Sequence, residues 1–101
     1  MERDVITSRA NPLLVRVRKL NSRRAFRREE GAFAAEGPKL LGEALRWGTE
    51  LETVIAAPGV LLPQLPPGVR AVEVADSLLA SIADTESPQG IVFVCRGRSL
   101  A

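Results

Sequence analysis

Apolar residues in the first quarter of the chain recur at helical rather than strand spacing. Leu13, Leu14, Val17 and Leu20 fall on one stripe at about 100° per residue, and Arg16, Lys19 and Arg23 gather on a neighbouring face. Asn11-Pro12 stands directly before the stripe: a side chain able to cap free N–H groups, then a ring that presets φ at the first helical position. A helix is predicted to start there and to stop at Asn21-Ser22, because in a longer helix Arg24 would enter the apolar stripe. Arg24 to Glu30 is read as a basic loop closed by Gly31.

Further along, Ala32 to Glu36 reads as a short strand, and Gly37-Pro38 opens a second helix with Leu40, Leu41, Ala44 and Leu45 on its apolar face. Gly48 ends that helix. Leu51 to Ala57 is rich in β-branched residues and is predicted to be a strand, whereas Pro58 to Gly68, with four prolines and two glycines, is a surface connection. Val72 and Val74 alternate with Glu73, which suits a strand near a sheet edge over Arg70 to Ala75. Asp76 is predicted to cap a third helix buried through Leu78, Leu79 and Ile82, and a polar turn spans Asp84 to Gly90. Ile91 to Cys95 is apolar without alternation, the mark of a central strand covered on both faces. The order α-β-α-β-β-α-β predicts a layered α/β sandwich without internal repeats.

Composition narrows the chemistry. The 101 residues, 46% hydrophobic and 26% charged, suit one folded domain, too apolar for disorder and without an 18-residue apolar run. Histidine and tyrosine are missing, and Cys95 is the one cysteine, expected in the core. Catalysis within the segment and a metal site are therefore not expected. Met1-Glu2-Arg3-Asp4 lacks the features of a secretory signal, which gives an expected cytoplasmic location with no membrane partner.

The net charge of +2 conceals an uneven distribution. Residues 1–28 hold nine Arg or Lys against two acids, a net +7, so residues 29–101 carry −5. Such a segment is either a solvated helix face or a surface that docks on phosphates; arginine's planar donors favour the second. With about five phosphate contacts, log K should fall with log[salt] at a slope of roughly −3.5 to −4.5.

Three candidate sites emerge. The first is the basic helix and loop, with Arg9, Arg16, Lys19, Arg23, Arg24, Arg27 and Arg28. In the second, Glu36-Gly37-Pro38-Lys39, a helix start offers N–H groups to a phosphate; an ordinary turn competes, since Pro38 removes a donor and Glu36 is negative. The third is the polar turn, where Thr85, Ser87 and Gln89 carry groups able to read base edges or 2′-hydroxyls, against the plainer reading as a turn before a strand. Glu29, Glu30, Glu50 and Glu52 are read as solvated acids. Trp47, Phe26, Phe33 and Phe93 are too scattered for a base-stacking platform; Phe33 and Phe93 are expected in the core.

Ile6-Thr7-Ser8-Arg9-Ala10-Asn11-Pro12, Arg27-Arg28-Glu29-Glu30-Gly31-Ala32-Phe33, Glu36-Gly37-Pro38-Lys39-Leu40-Leu41 and Asp84-Thr85-Glu86-Ser87-Pro88-Gln89-Gly90-Ile91, in this order, resemble the opening of SpoU/TrmH-family RNA methyltransferases. The resemblance implies a three-layer α/β/α sandwich with a mixed sheet, like the kink-turn-binding ribosomal proteins. It also implies a substrate-binding domain over residues 1–96, with residues 97–101 beginning an interdomain linker. A knotted domain that binds S-adenosylmethionine and methylates a ribose 2′-oxygen, usually as a homodimer, would belong to the parent protein; no counterpart of its cofactor motifs lies in this sequence, and no cofactor is expected in the segment. By the same resemblance, Gly37 to Lys39 and Thr85 to Gln89 would meet at one end of the sheet to bind structured, ribosomal RNA, with the Arg23 to Arg28 loop beside them. A stand-alone kink-turn adaptor and a protein-interaction or dimerisation module are the rival readings.

Overall fold

In the computed structural model, which describes residues 3–85 and 89–97, the Asn11 side chain accepts the Leu13 N–H at 2.9 Å and helix α1 runs over Pro12–Ser22. The predicted start and stop of this helix are those observed. Asn11→Ala is expected to cost about 1 kcal/mol, lowering the thermal midpoint by about 4–8 °C, because the cap is lost while the stripe beneath it stays packed. A melting curve checks this.

The chain beyond Arg23 departs from expectation. Arg23 takes an extended conformation (φ −128°, ψ 107°), and Arg24–Glu30 forms a second helix, α2, where a loop was predicted. The break resets the helical phase, so Arg24 is exposed and Phe26 packs against the core beside α1. Gly31, at φ 61°, then closes α2 in the left-handed conformation that suits glycine at a helix end.

The remaining elements are β1 (Asp4–Val5), β2 (Ala32–Glu36), α3 (Pro38–Arg46), β3 (Leu51–Ala56), β4 (Arg70–Glu73), α4 (Asp76–Ile82) and β5 (Ile91–Arg96). The sequence pattern gave no sign of β1, a two-residue strand paired with β4 and continued by the bond from Ile6 N–H to the Glu73 carbonyl at 2.9 Å. Asp76 does not cap α4: it is the first helical residue after Ala75, where its charge still favours the positive end of the helix.

The five strands form one mixed sheet in the order β1-β4-β3-β5-β2. β1, β4 and β3 are parallel, while β5 is antiparallel to both β3 and β2. β5 lies inside the sheet as its pattern predicted, with Ile91 to Cys95 all buried. Its residues divide by parity. Val92 and Val94 pack with Leu14, Val17, Leu20, Leu79 and Ile82 in the core under α1 and α4, whereas Ile91, Phe93 and Cys95 pack with Leu41, Ala44 and Val54 under α3. This is the expected α/β/α sandwich.

The proline-rich connection from β3 to β4 has no regular element, yet Val60, Leu62, Leu65 and Val69 pack against the core on the α3 side. It therefore replaces a crossover helix as cover for a parallel strand pair that would otherwise be wet on one face. Gly90 depends on this strap. A Cβ there would lie 2.8 Å from Val60 Cγ2, and its φ of 77° is a glycine conformation. On α3 the predicted stripe is narrower than expected, with Leu41 fully buried and Leu40 38% exposed. Cys95 is buried, and loss of hydration, followed by the nearby Glu52 charge, pushes its thiol up to about 11. The thiol is accordingly protonated and inert at neutral pH.

Candidate functional site

Seven of the twelve predicted site residues collect in two recesses at opposite ends of β2. Four residue steps separate Ala32 from Glu36, or about 13 Å at the rise of a strand.

At the C-terminal end of β2, the α3 start meets the chain after α4. A recess of about 440 Å³ is lined by Glu36, Gly37, Lys39 and Leu40 from one side and by Asp84, Thr85 and Gln89 from the other, with Asn21, Ala34 and Ala35 completing it. The approach is close: a Cβ on Gly37 would lie 3.9 Å from Gln89 Oε1. The expected meeting of Gly37 to Lys39 with the polar turn is thus present for Thr85 and Gln89; Ser87 lies outside the described residues.

The donors here are fewer than the sequence suggested. The Gly37 N–H is given to the Ile91 carbonyl at 3.0 Å and Pro38 has none, which leaves the N–H groups of Lys39 and Leu40 as those without a partner among the described residues at the positive end of α3. The negative charge that counted against the site is also occupied. The Glu36 carboxylate accepts the N–H of Asp84, the Thr85 N–H at 3.3 Å and the Thr85 hydroxyl at 2.5 Å. Asn21, read from the sequence only as part of a helix end, ties the end of α1 to this region by donating to the Ile82 carbonyl at 2.8 Å.

At the N-terminal end of β2, Arg24, Arg27 and Arg28 line a second recess of about 640 Å³ with Gly31, Ala32 and Gly97, and no carboxylate is present among the described lining residues. α2 makes this cluster by placing positions 24, 27 and 28 on one side. Arg27 is held by donating to the Leu20 carbonyl at 2.7 Å. The expectation that these arginines stand beside Gly37 is therefore corrected, because α2 returns the chain to the start of β2. Arg9 and Arg23 are exposed and line neither recess, and Lys19 sits over the Phe26 ring, 5.6 Å from its centroid.

Arg16 is a clearer correction. Its Nε donates to Glu30 at 2.8 Å and its Nη1 to Glu52, while Arg96 reaches the second Glu52 oxygen at 3.3 Å and the Glu30 carbonyl at 3.1 Å. Burial alone would lower the Arg16 pKa, but hydrogen bonds and charge from Glu30 and Glu52 overcome this and raise it. The register of β3 shifts between Leu51 and Thr53, so Glu52 is the extra residue of a bulge, a device that redirects a side chain. Glu30 and Glu52 are thus structural partners of Arg16 and Arg96 rather than solvated acids.

The two populations of arginine should separate in experiment. Arg16→Ala is expected to destabilise the fold by about 1–2 kcal/mol, below the cost of breaking a fully buried pair because these groups are partly solvated. Arg28→Ala should stay within about 0.5 kcal/mol of the wild type. Denaturant unfolding measures both.

Among the described residues, no helix is long and apolar enough to cross a membrane, and no group of metal-ligating side chains is present. Residues 11–92 match the model of the MRM3-like substrate binding domain. Among solved structures, the AdoMet-bound rRNA methyltransferase of Sinorhizobium meliloti is similar at 27% identity and a TM-score of 0.78, over 94% of this chain and 37% of that one. An RNA 2′-O ribose methyltransferase is similar at 27% identity and 0.75, over 96% and 40%. The SpoU methyltransferase AviRb of Streptomyces viridochromogenes, at 18% identity and 0.73 over 88% and 36%, shares the fold. The chain thus spans about two fifths of the length of these proteins. No curated protein is matched at a significant level. By its sequence over most of its length, the chain belongs to the MRM3-like substrate-binding domain family.

Proposed function

We propose that the chain recognises structured RNA, ribosomal in origin, for an S-adenosylmethionine-dependent RNA 2′-O-ribose methyltransferase that acts as a homodimer. Residues 1–96 form the recognition unit on this reading and residues 97–101 begin a linker. The observation that carries it is the recess that Arg24, Arg27 and Arg28 line together, whose described lining residues include neither Glu30 nor Glu52, the carboxylates that neutralise Arg16. Clustered guanidinium groups suit phosphate oxygens, which orient an RNA without reading its sequence. The recess at Gly37 supplies the finer contacts, through the N–H groups at the start of α3, the ammonium of Lys39 and the amide of Gln89.

The arginines of the second recess would repel the sulfonium cation of S-adenosylmethionine, which supports assigning cofactor and methyl transfer to the rest of the parent protein while this segment positions RNA. Crosslinking a structured ribosomal RNA fragment to the chain, followed by peptide mapping, tests the proposal. Adducts in peptides holding Arg24 to Arg28 and Gly37 to Lys39 support it. Absence of adducts at low salt, with capture of a protein partner through the same arginines, would replace it with an interaction module.

A further inference from the structure

We infer that Glu36 is a positioning residue of the RNA site, holding Asp84 and Thr85, which follow α4, against the start of α3; this inference rests on the RNA-binding reading. A carboxylate beside a phosphate-binding helix start repels the ligand, so on charge alone Glu36 weakens the site. Its contacts give it another purpose. The carboxylate accepts three hydrogen bonds from two residues 48 and 49 positions away, the N–H groups of Asp84 and Thr85 and the Thr85 hydroxyl, and they bridge the last residue of β2 to the chain after α4. Gly90 is held by backbone: its carbonyl accepts the Ala57 N–H at 2.9 Å, and β5 begins at Ile91. Glu36 therefore fixes Asp84 and Thr85 as the sheet fixes Gly90, and Gln89, next to Gly90, lies in the same recess beside Gly37.

Bonds to a charged acceptor are stronger than neutral ones, but these three lie at an exposed edge, outside both cores. Their loss should release Asp84 and Thr85 and leave the domain folded. The sign of the effect on RNA is diagnostic. Removing a negative charge from a phosphate-binding surface tightens binding if charge is all that matters, whereas loss of positioning weakens it.

The experiment compares the 101-residue chain with Glu36→Ala, Glu36→Gln, Thr85→Val and the Ala/Val double variant, using a structured ribosomal RNA fragment, thermal melting and amide NMR. Glu36→Ala is expected to bind about tenfold more weakly with an unchanged salt slope, the scale of one charge-assisted hydrogen bond. Glu36→Gln, which keeps one acceptor oxygen, should recover part of the loss. The double variant should lose less than the two single losses combined, and the Asp84 and Thr85 amide resonances should shift upfield in Glu36→Ala. Equal or tighter binding by Glu36→Ala, or unmoved Asp84 and Thr85 amides, overturns the role of Glu36 while leaving the RNA-binding reading in place. Failure of the wild-type chain to bind RNA at low salt removes the RNA-binding reading, and this inference with it.

Discussion

Replacing Arg23, Arg24, Arg27 and Arg28 together by glutamine is expected to reduce RNA affinity roughly a hundred- to thousandfold near 0.1 M salt and to flatten the dependence of log K on log[salt] by about 3. The estimate follows from counterion release: each phosphate neutralised contributes a fixed increment to the slope, and four fewer cations remove four increments at most. Stability should fall only by the loss of the Arg27 bond to the Leu20 carbonyl, on the order of 1 kcal/mol, because Arg23, Arg24 and Arg28 are exposed and the described ion pairs involve Arg16 and Arg96 instead. The loss should be similar for unrelated RNA sequences, since phosphate contacts carry no base identity. Fluorescence anisotropy at several salt concentrations gives both quantities. A variant that binds as tightly as the wild type would assign the arginine recess to some other purpose.

The largest effect on folding is expected at Phe93. It is fully buried at the centre of β5, packed among Leu41, Ala44 and Val54 on the α3 side, and paired in register with both Ala35 and Val54. Phe93→Ala removes an aromatic ring and leaves a cavity that strands on both sides prevent from closing, a cost of about 3–5 kcal/mol. For a domain whose total stability is of order 5–15 kcal/mol, this leaves a small margin, and the melting midpoint should fall by more than about 12 °C. RNA binding should then fail with the fold on warming. A midpoint within about 2 °C of the wild type would mean that β5 is not the centre of the structure.

Several features were legible in the sequence because they depend on neighbouring residues. The start of α1 is written in Asn11-Pro12, and the position of β5 inside the sheet follows from five uninterrupted apolar residues. The second helix was less legible because the chain breaks phase at Arg23 and resumes: Arg24 was correctly excluded from the α1 stripe, but the exclusion said nothing against a new helix anchored by Phe26 and closed by Gly31. β1 escaped notice because two residues carry no periodicity and its pairing is supplied by β4.

The site divides in the same way. The uneven charge and the glycine-proline helix start are visible in one dimension. Which arginines are available is not, because Arg16 meets Glu30 and Glu52 only after α1 packs on the sheet and a bulge turns Glu52 towards it. The tie from Glu36 to Thr85 spans 49 positions, and Asn21 joins the recess through the packing of α1 on α4. Nothing local announces these ties. The return of α2 to the start of β2 likewise decides that the arginine recess lies at the opposite end of that strand from the recess at Gly37.

Equilibrium binding of the wild-type chain to a structured ribosomal RNA fragment over a series of salt concentrations tests the central claim most directly. A slope of log K against log[salt] of about −3.5 to −4.5 is predicted, corresponding to about five phosphate contacts. A slope near zero, or no binding at low salt, would contradict it.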